Sequence, residues 1–263
     1  MADKTRWYDS TNGEIVTESL LKKPTKDGRS TTPTTKKHAR EFGYLPSVTS
    51  IISTRHSYQL EKYKIEGAVR ACIDNPFAAE PTDEAIDKYM NFVIAKSGEY
   101  AKKAADRGTQ IHAGVQRFLT GIALPEPLDP VTEQIAHEIN KYIISQGDVL
   151  SIMCEKSLFS KEVGAAGTPD IYVVYMDGTT MVVDLKSVDF DKWKEPYVSW
   201  KLQLGGYRAL LMDDGAKLVQ AVCDREGKGP SKFIRHEGEA GWQRAFMGLL
   251  TTWIVAEDYD PRS

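Results

Sequence analysis

The 263-residue sequence lacks the features of secreted and membrane proteins. It holds three cysteines, Cys72, Cys154 and Cys223, and this odd number at wide spacing predicts neither a disulfide framework nor a zinc pair. A signal peptide and a long apolar run are both missing, so we expect a soluble, cytoplasmic protein with no membrane partner. The sequence also has no Gly-x-x-x-x-Gly-Lys-Ser/Thr loop, which argues against a nucleotide cofactor held by such a loop.

A strong net charge is missing as well. The formal net charge is −3 and the pI is about 6.0, so no global basic field indicates a nucleic-acid partner. The first 40 residues are an exception, because they contain nine Lys or Arg against five acids. This basic segment could hold a phosphate backbone or could be a solvated segment with no partner.

The length and the 41% hydrophobic content predict one large domain, 1–263, in three segments. Segment 1–45 reads as a hairpin around Asn12-Gly13 followed by a basic loop over 22–40. Segment 46–147 reads as helical, with one helix starting at Asp129-Pro130 and ending at Gly147. Segment 148–263 alternates strands with helices, with strands over 150–159, 171–175, 180–186, 217–223 and 231–235 and helices over 194–212 and 239–255.

Two short motifs place polar residues at the ends of predicted strands. Gly167-Thr168-Pro169-Asp170 precedes one apolar, β-branched run, and Asp184-Leu185-Lys186 ends the next. Asp177-Gly178 between the runs is a hairpin turn signal. A tight hairpin would bring Asp170 beside Asp184, and it would put Lys186 on the same strand face as Asp184.

This arrangement favours a divalent cation. Two carboxylates so close repel each other and are stabilised by a cation between them, and hard oxygen ligands suit Mg²⁺ or Mn²⁺. A lysine beside the cation can hold or deprotonate a water, or bind a phosphate. Together these groups can carry out metal-assisted phosphodiester hydrolysis. The alternative is that Asp170 is a turn residue and Asp184-x-Lys186 a chance pair. The buried run before Asp184 argues against it, because charges that end such a run need partners.

The same residues resemble the PD-(D/E)XK nuclease superfamily, through Pro169-Asp170 and Asp184-x-Lys186. Three further segments are similar to its RecB-type exonuclease branch. Gln203-x-x-x-Tyr207 resembles the Gln-x-x-x-Tyr motif of the branch, and Arg107-Gly-Thr-Gln-Ile-His112 resembles its upstream helix. Leu45-Pro-Ser-Val-Thr49 is similar to a segment of phage exonucleases and mitochondrial genome maintenance exonucleases.

The resemblance implies an α/β fold with a restriction-endonuclease-like core, in which helices flank a small mixed sheet and an N-terminal helical extension precedes it. Segment 148–263 would be the catalytic core. The implied metal ligands are Asp170, Asp184, His112 and the backbone carbonyl of Leu185, and Lys186 would act on the attacking water. From the residues alone, His112 is more often a core histidine, since it shares a helix face with apolar neighbours.

Glu155 lies on the strand predicted before the Gly-Thr-Pro-Asp turn. In similar nucleases a glutamate here would bind a second cation or orient the site, and the alternative is an exposed strand glutamate. Gln203 and Tyr207 share one helix face. Gly205-Gly206 between them costs the helix roughly 1 kcal/mol per glycine, which predicts that another backbone approaches closely. In the family this helix face lies against the catalytic strand and the nucleic acid.

The activity that the resemblance implies is a DNA exonuclease for single-stranded or frayed ends, active in recombination and repair in a bacterium or a phage-infected cell. DNA would be the substrate, and a single-strand annealing or single-strand-binding protein is a candidate partner. Lys102, Lys103 and Arg107 would contact phosphates, or would form a solvated helix face. The alternatives are an endonuclease of the same superfamily and a non-catalytic DNA-binding protein on a nuclease fold.

Overall fold

Two compact units make up the chain, Met1–Arg55 with Gly114–Ser263 and, separately, His56–Ala113. The structure is a computed structural model that describes residues 5–20, 30–55, 58–78, 80–122, 126–213, 215–236 and 238–263. Both boundaries between the units, at 55/56 and 113/114, fall inside the predicted helical segment 46–147. Residues 46–55 and 114–147 therefore belong to the same unit as the strands.

The first unit contains all the strands of the described residues, and one long helix runs through both units. In chain order the strands are β1 Trp7–Tyr8, β2 Ile15–Val16, β3 Glu18–Leu20, β4 Thr31–Pro33, β5 Leu45–Pro46, β6 Val149–Cys154, β7 Leu158–Ser160, β8 Ala165–Gly167, β9 Ile171–Tyr175, β10 Thr180–Val188, β11 Lys217–Asp224 and β12 Lys232–Arg235. The helices are α1 Lys36–Phe42, α2 Val48–Ile52, α3 Tyr58–Asp74, α4 Asp83–Thr120, α5 Pro130–Ser145, α6 Val198–Leu211 and α7 Glu239–Glu257.

A five-stranded mixed sheet with the order β12-β11-β10-β9-β6 lies at the centre of the first unit. Strands β10 and β11 are parallel, and α6 connects them, as a parallel pair requires a crossover. The other neighbouring pairs are antiparallel. The chain is thus a mixed α/β protein with a small mixed sheet flanked by helices, which confirms that part of the predicted fold.

Helices cover both faces of this sheet, which explains why its central strands are largely buried. Residues 180–185 of β10 are all buried. On one face, Val182 packs with Leu202 of α6 and Phe246 of α7 in the main core. On the other face, the Tyr175 hydroxyl donates to the Ile143 carbonyl of α5 at 3.1 Å.

The secondary structure follows the sequence prediction closely in most of the first unit. The N-terminal hairpin forms as β1 and β2, with Gly13 at φ +72° in its turn. Helix α5 begins at Asp129, whose carboxylate caps the backbone N–H of Thr132. Cys72, Cys154 and Cys223 are free cysteines.

Two predictions over the strands and loops were wrong. The loop predicted over 22–40 contains β4 and α1 within its described part, because Thr-rich strands and a short helix give little periodicity. Residues 21–29, including Lys22, Lys23, Lys26 and Arg29, lie outside the described residues. The strand predicted over 150–159 is two strands, β6 and β7, since Glu155 adopts a left-handed conformation with φ +52° between them.

The second unit consists of α3 and the greater part of α4, packed side by side. The Tyr89 hydroxyl donates to the Asn75 carbonyl at 2.6 Å, and the Tyr100 hydroxyl donates to the Asp74 carboxylate at 2.6 Å. A side chain at Gly67 would touch Ser97, so the two helices approach closely there. Among the described residues, every helix is too short or too polar for a membrane span.

Candidate active site

The Asp177-Gly178 turn joins β9 to β10 as the sequence predicted. The Asp177 carboxylate accepts hydrogen bonds from the backbone and side chain of Thr179, at 2.9 and 2.7 Å, and Gly178 has φ +82°. Ile171 pairs with Val183 at the other end of the hairpin. Asp170 directly precedes Ile171, and Asp184 directly follows Val183. The register therefore places the two carboxylates at the same end of neighbouring strands.

The side chain of Asp170 forms a further hydrogen bond to the neighbouring strand β10. Its half-buried carboxylate accepts a hydrogen bond from the backbone N–H of Leu185, with 2.6 Å between Oδ2 and N. Its own carbonyl accepts from the backbone N–H of Glu155 at 3.1 Å. A hydrogen bond from a main-chain donor fixes the carboxylate beside β10.

Asp184 and Lys186 form an ion pair on one face of β10. The Lys186 ammonium lies 2.9 Å from Oδ2 of Asp184, and the two side chains are 20% and 1% exposed. Residues two apart on a strand share a face, as the sequence predicted for this pair. The Lys186 ammonium also donates to Oε1 of Gln203 on α6 at 3.0 Å. Helix α6 therefore lies over the face that carries both charges.

A chain of hydrogen bonds continues from Lys186 to the turn before Asp170. Because an ammonium only donates, Gln203 must turn its oxygen to Lys186 and its amide nitrogen to Tyr207, 2.8 Å away. The Tyr207 hydroxyl in turn donates to the Thr168 carbonyl at 3.1 Å. Burial, then the charges of Asp184 and Asp170, hold the pKa of Tyr207 well above its ordinary value, so this hydroxyl stays protonated.

The two glycines between Gln203 and Tyr207 let other elements approach α6. A Cβ on Gly205 would collide with the backbone carbonyl of Trp242 in α7. A Cβ on Gly206 would lie 2.6 Å from Cγ1 of Val48 and 3.0 Å from Phe246. The close approach of another backbone that the Gly-Gly pair predicted is therefore found, and the backbone belongs to α7.

The Pro-Ser-Val-Thr segment, residues 46–49, packs against β8, the strand that leads to Asp170. Ser47 caps α2 by accepting from the Ser50 N–H at 2.9 Å, and it pairs with Ala166. Val48 fits between Gly206 and Gly167, since a Cβ on Gly167 would lie 3.2 Å from Cγ2 of Val48. These contacts hold the backbone that leads to Asp170.

The first strand of the N-terminal hairpin reaches the same turn. The Tyr8 hydroxyl lies 3.0 Å from the Thr168 hydroxyl, and the two residues are 160 positions apart in the sequence. Tyr8 is buried at 1% exposure, beside Leu45 and Ala166. Thr168 is thus held by Tyr8 through its hydroxyl and by Tyr207 through its carbonyl.

Sequence reasoning missed Gln220, which lies next to Asp184, and His236, which contacts Gln220. Gln220 is opposite Asp184 in the parallel β10–β11 pair and is fully buried. Its Nε2 is 3.5 Å from Oδ2 of Asp184, and its Oε1 is 2.7 Å from Nε2 of His236. A glutamine inside the apolar run of β11 was the available signal, because a buried amide needs partners. Burial lowers the pKa of His236, so its ring favours the neutral form.

The remaining residues proposed from the sequence are Glu155 and four residues of α4. Glu155 is exposed and follows β6, rather than lying within a strand. His112, Arg107, Lys102 and Lys103 lie on α4 within the second unit, the first two half-buried and the two lysines exposed. Their roles stay predictions. Among the described residues, no group of three or more His, Cys, Asp or Glu side chains converges as a metal cage.

Cys154, the thiol nearest to this site in sequence, is unsuited to act as a nucleophile. Burial, then the charges of Glu155 and Asp170, raises its pKa to about 11. The thiol is therefore protonated at neutral pH, whereas nucleophilic cysteines are thiolates.

The sequence matches no protein-family profile, and no curated protein is similar to it. The solved structure of SSO0001 is 18% identical, with a TM-score of 0.29 over 46% of this chain and 60% of that protein, so the chain spans about three fifths of its length. A candidate exonuclease from Eubacterium rectale is 12% identical, with a TM-score of 0.36 over 59% of this chain and 67% of that protein.

Proposed function

We propose that this protein is a divalent-cation-dependent deoxyribonuclease with a PD-(D/E)XK core of the RecB type. One observation carries the proposal. Asp170 and Asp184 lie at the same end of two neighbouring strands, and Lys186 contacts Asp184 on the face that α6 covers. Two carboxylates and a lysine at a strand end are the groups that metal-assisted phosphodiester hydrolysis requires.

The donor set suits Mg²⁺ or Mn²⁺. Mg²⁺ keeps several of its waters and is usually bound through one or two carboxylates together with substrate phosphates. A two-carboxylate site therefore fits it, whereas a structural zinc site needs four protein ligands. Asp170 and Asp184 would hold the cation, with the Leu185 carbonyl as a further oxygen ligand. A bound cation would stabilise the negative charge that develops on the phosphodiester.

The chain's own residues would orient the substrate around these carboxylates. Lys186 presents an ammonium donor that Asp184 and Gln203 hold in place, so it can bind the attacking water or a phosphate oxygen. Gln203 is fixed in turn by Tyr207, which stays protonated because of its burial. Such a connected set of donors is oriented before substrate binds, which reduces the reorganisation that the reaction demands.

DNA ends are the proposed substrate. The resemblance to phage and mitochondrial exonucleases extends to the segments before the sheet, and Lys102 and Lys103 are exposed on α4 where they can meet phosphates. Contacts to phosphate carry no base information. Binding should therefore weaken as salt rises and should show little preference for sequence.

One digestion panel tests the proposal. Linear single-stranded, linear double-stranded and covalently closed circular DNA are each incubated with Mg²⁺, Mn²⁺ or EDTA. We expect linear DNA to be degraded from its ends with either cation, and no cleavage in EDTA. Nicking of closed circles would replace the exonuclease with an endonuclease. DNA binding without any cleavage would indicate a non-catalytic protein, and cleavage that persists in EDTA would exclude the metal-dependent mechanism.

A further inference from the structure

Gln220 is a buried amide in the middle of the sheet, and it has a polar group on each side. It is 0% exposed on β11, opposite Asp184 in the register. An amide buried among apolar strands costs free energy unless both of its ends are hydrogen-bonded. Asp184 and His236 are the groups at its two ends.

The carboxylate determines which way Gln220 points. Ionised Asp184 only accepts hydrogen bonds, so the amide nitrogen of Gln220 must face it. The amide oxygen then faces His236, 2.7 Å from Nε2. That oxygen only accepts, and therefore Nε2 of His236 must carry the proton. The reversed amide would set its oxygen against Oδ2 of Asp184, where the two would repel each other.

His236 is placed so that it can hold this orientation. It follows β12 directly and is 9% exposed, so water competes little for its ring. Its hydrogen bond to Gln220 is shorter than that between Gln220 and Asp184, 2.7 Å against 3.5 Å. The ring therefore anchors the amide, and the amide faces the carboxylate.

From this geometry we infer that His236 and Gln220 are positioning residues that set the rotation of the Asp184 carboxylate for cation binding. The inference rests on the proposed function. Oδ2 of Asp184 is held by Lys186 on one side and faces the Gln220 amide on the other. Holding Oδ2 fixes the direction of Oδ1 as well, because the carboxylate group is planar. Residues that hydrogen-bond to a metal-binding side chain commonly tune its affinity for the cation in this way.

The test compares two substitutions of His236 that differ in one hydrogen-bond donor. His236→Phe keeps an aromatic ring and removes the N–H, whereas His236→Gln keeps an amide N–H close to the position of Nε2. Val219→Ala is the matched control. Val219 is as fully buried on β11 as Gln220 is, but it faces the other side of the sheet. Each protein is titrated with Mn²⁺ by calorimetry without DNA, and kcat, KM and the thermal unfolding midpoint are measured separately.

We expect His236→Phe to bind Mn²⁺ about 10- to 100-fold more weakly, with a lower kcat and little change in KM. His236→Gln should recover most of both losses. Val219→Ala should unfold at a lower temperature but keep its Mn²⁺ affinity. Wild-type affinity and kcat in His236→Phe would overturn the inference, and so would equal losses in the Phe and Gln variants, since the donor would then be irrelevant.

A second measurement examines the hydrogen bond itself. Nitrogen NMR of the wild-type imidazole should show the proton on Nε2, and a proton on Nδ1 alone would overturn the inference even in an active enzyme. A wild-type protein that neither binds Mn²⁺ nor cleaves DNA would overturn the proposed function, and the inference with it. An active wild type with unaffected variants would overturn the inference alone.

Discussion

The Tyr207 hydroxyl donates a hydrogen bond to the Thr168 carbonyl, and this contact joins helix α6 to the turn that leads into Asp170. The same hydroxyl accepts from Gln203, whose oxygen holds Lys186. One phenol therefore links the segment before the first carboxylate to the lysine beside the second. The Gln-x-x-x-Tyr spacing has a structural reason, because only residues on one helix face can make both contacts.

Replacing this phenol by phenylalanine should affect both stability and turnover. Tyr207→Phe leaves the Gln203 amide and the Thr168 carbonyl without their partner, and an unsatisfied buried group costs about 1–3 kcal/mol. We expect a loss of unfolding free energy in that range, and a lower kcat because Lys186 is held less firmly. Denaturant unfolding and steady-state cleavage measure the two effects. Tyr142→Phe, whose ring stacks on Phe233, is the control and should change neither.

Removing the charge of Asp184 should abolish cleavage and also weaken the fold. Asp184→Asn keeps the shape of the side chain but leaves the largely buried Lys186 without its anion, and breaking such a pair costs about 3–5 kcal/mol. The double variant Asp184→Asn, Lys186→Met removes both charges and should regain stability without regaining activity. Asp191→Asn is the surface control. Cleavage by the folded Asp184→Asn variant would exclude Asp184 from the proposed site.

Lys186 should matter for turnover more than for DNA binding. Lys186→Met keeps most of the apolar stem, and we expect kcat to fall on the order of a hundredfold or more while KM changes little. Lys201→Met, which removes a cation 5.4 Å from the Trp242 ring, is the matched control and should keep kcat. If Lys186→Met binds DNA poorly but turns over normally at saturation, Lys186 is a substrate-binding residue.

Two glycine substitutions should have opposite effects on stability. Gly205→Ala places a Cβ against the Trp242 backbone, which cannot rotate away, and overpacking of this kind costs about 1–3 kcal/mol or more. Gly248→Ala in α7 meets open space and should stabilise the helix by up to about 1 kcal/mol. Denaturant unfolding of both variants tests this. Equal effects would mean that α6 and α7 are not packed so closely.

His236 should make stability depend on pH. Its pKa lies below the ordinary 6.5, because burial, and then the charge of Lys201, disfavours the protonated ring. The unfolded chain therefore binds the proton more readily, so unfolding free energy should be retained above pH 6.5 and lost as the pH falls below it. Urea unfolding at pH 7.5 and 5.5 should show a smaller loss in His236→Gln. The same loss in both proteins would assign the pH dependence to other groups.

The β9–β10 hairpin could be predicted from sequence because its information is local. Two β-branched runs around Asp177-Gly178 determine the turn and the register, and the register brings Asp170 to Asp184. Gln220 and His236 could not be predicted in the same way. Gln220 reaches Asp184 only because β11 pairs in parallel with β10, and that pairing depends on how α6 packs over the sheet. His236 contacts Gln220 from the end of β12.

Backbone conformation explains the remaining differences. Glu155 was predicted on a strand because its neighbours are strand-forming, but its left-handed backbone ends β6 and turns the chain into β7. The contact between Tyr8 and Thr168 spans 160 positions, so no local pattern could indicate it.

The order of the site residues along the chain has a consequence for synthesis on the ribosome. The N-terminal part of a nascent chain emerges first. The β9–β10 hairpin therefore leaves the ribosome with both carboxylates before α6, β11 and His236 have emerged. Until β11 emerges, Asp184 lacks both its parallel neighbouring strand and the Gln220 amide that faces it, and His236 emerges later still. A growing chain thus carries the acidic residues long before it can hold them in their final geometry.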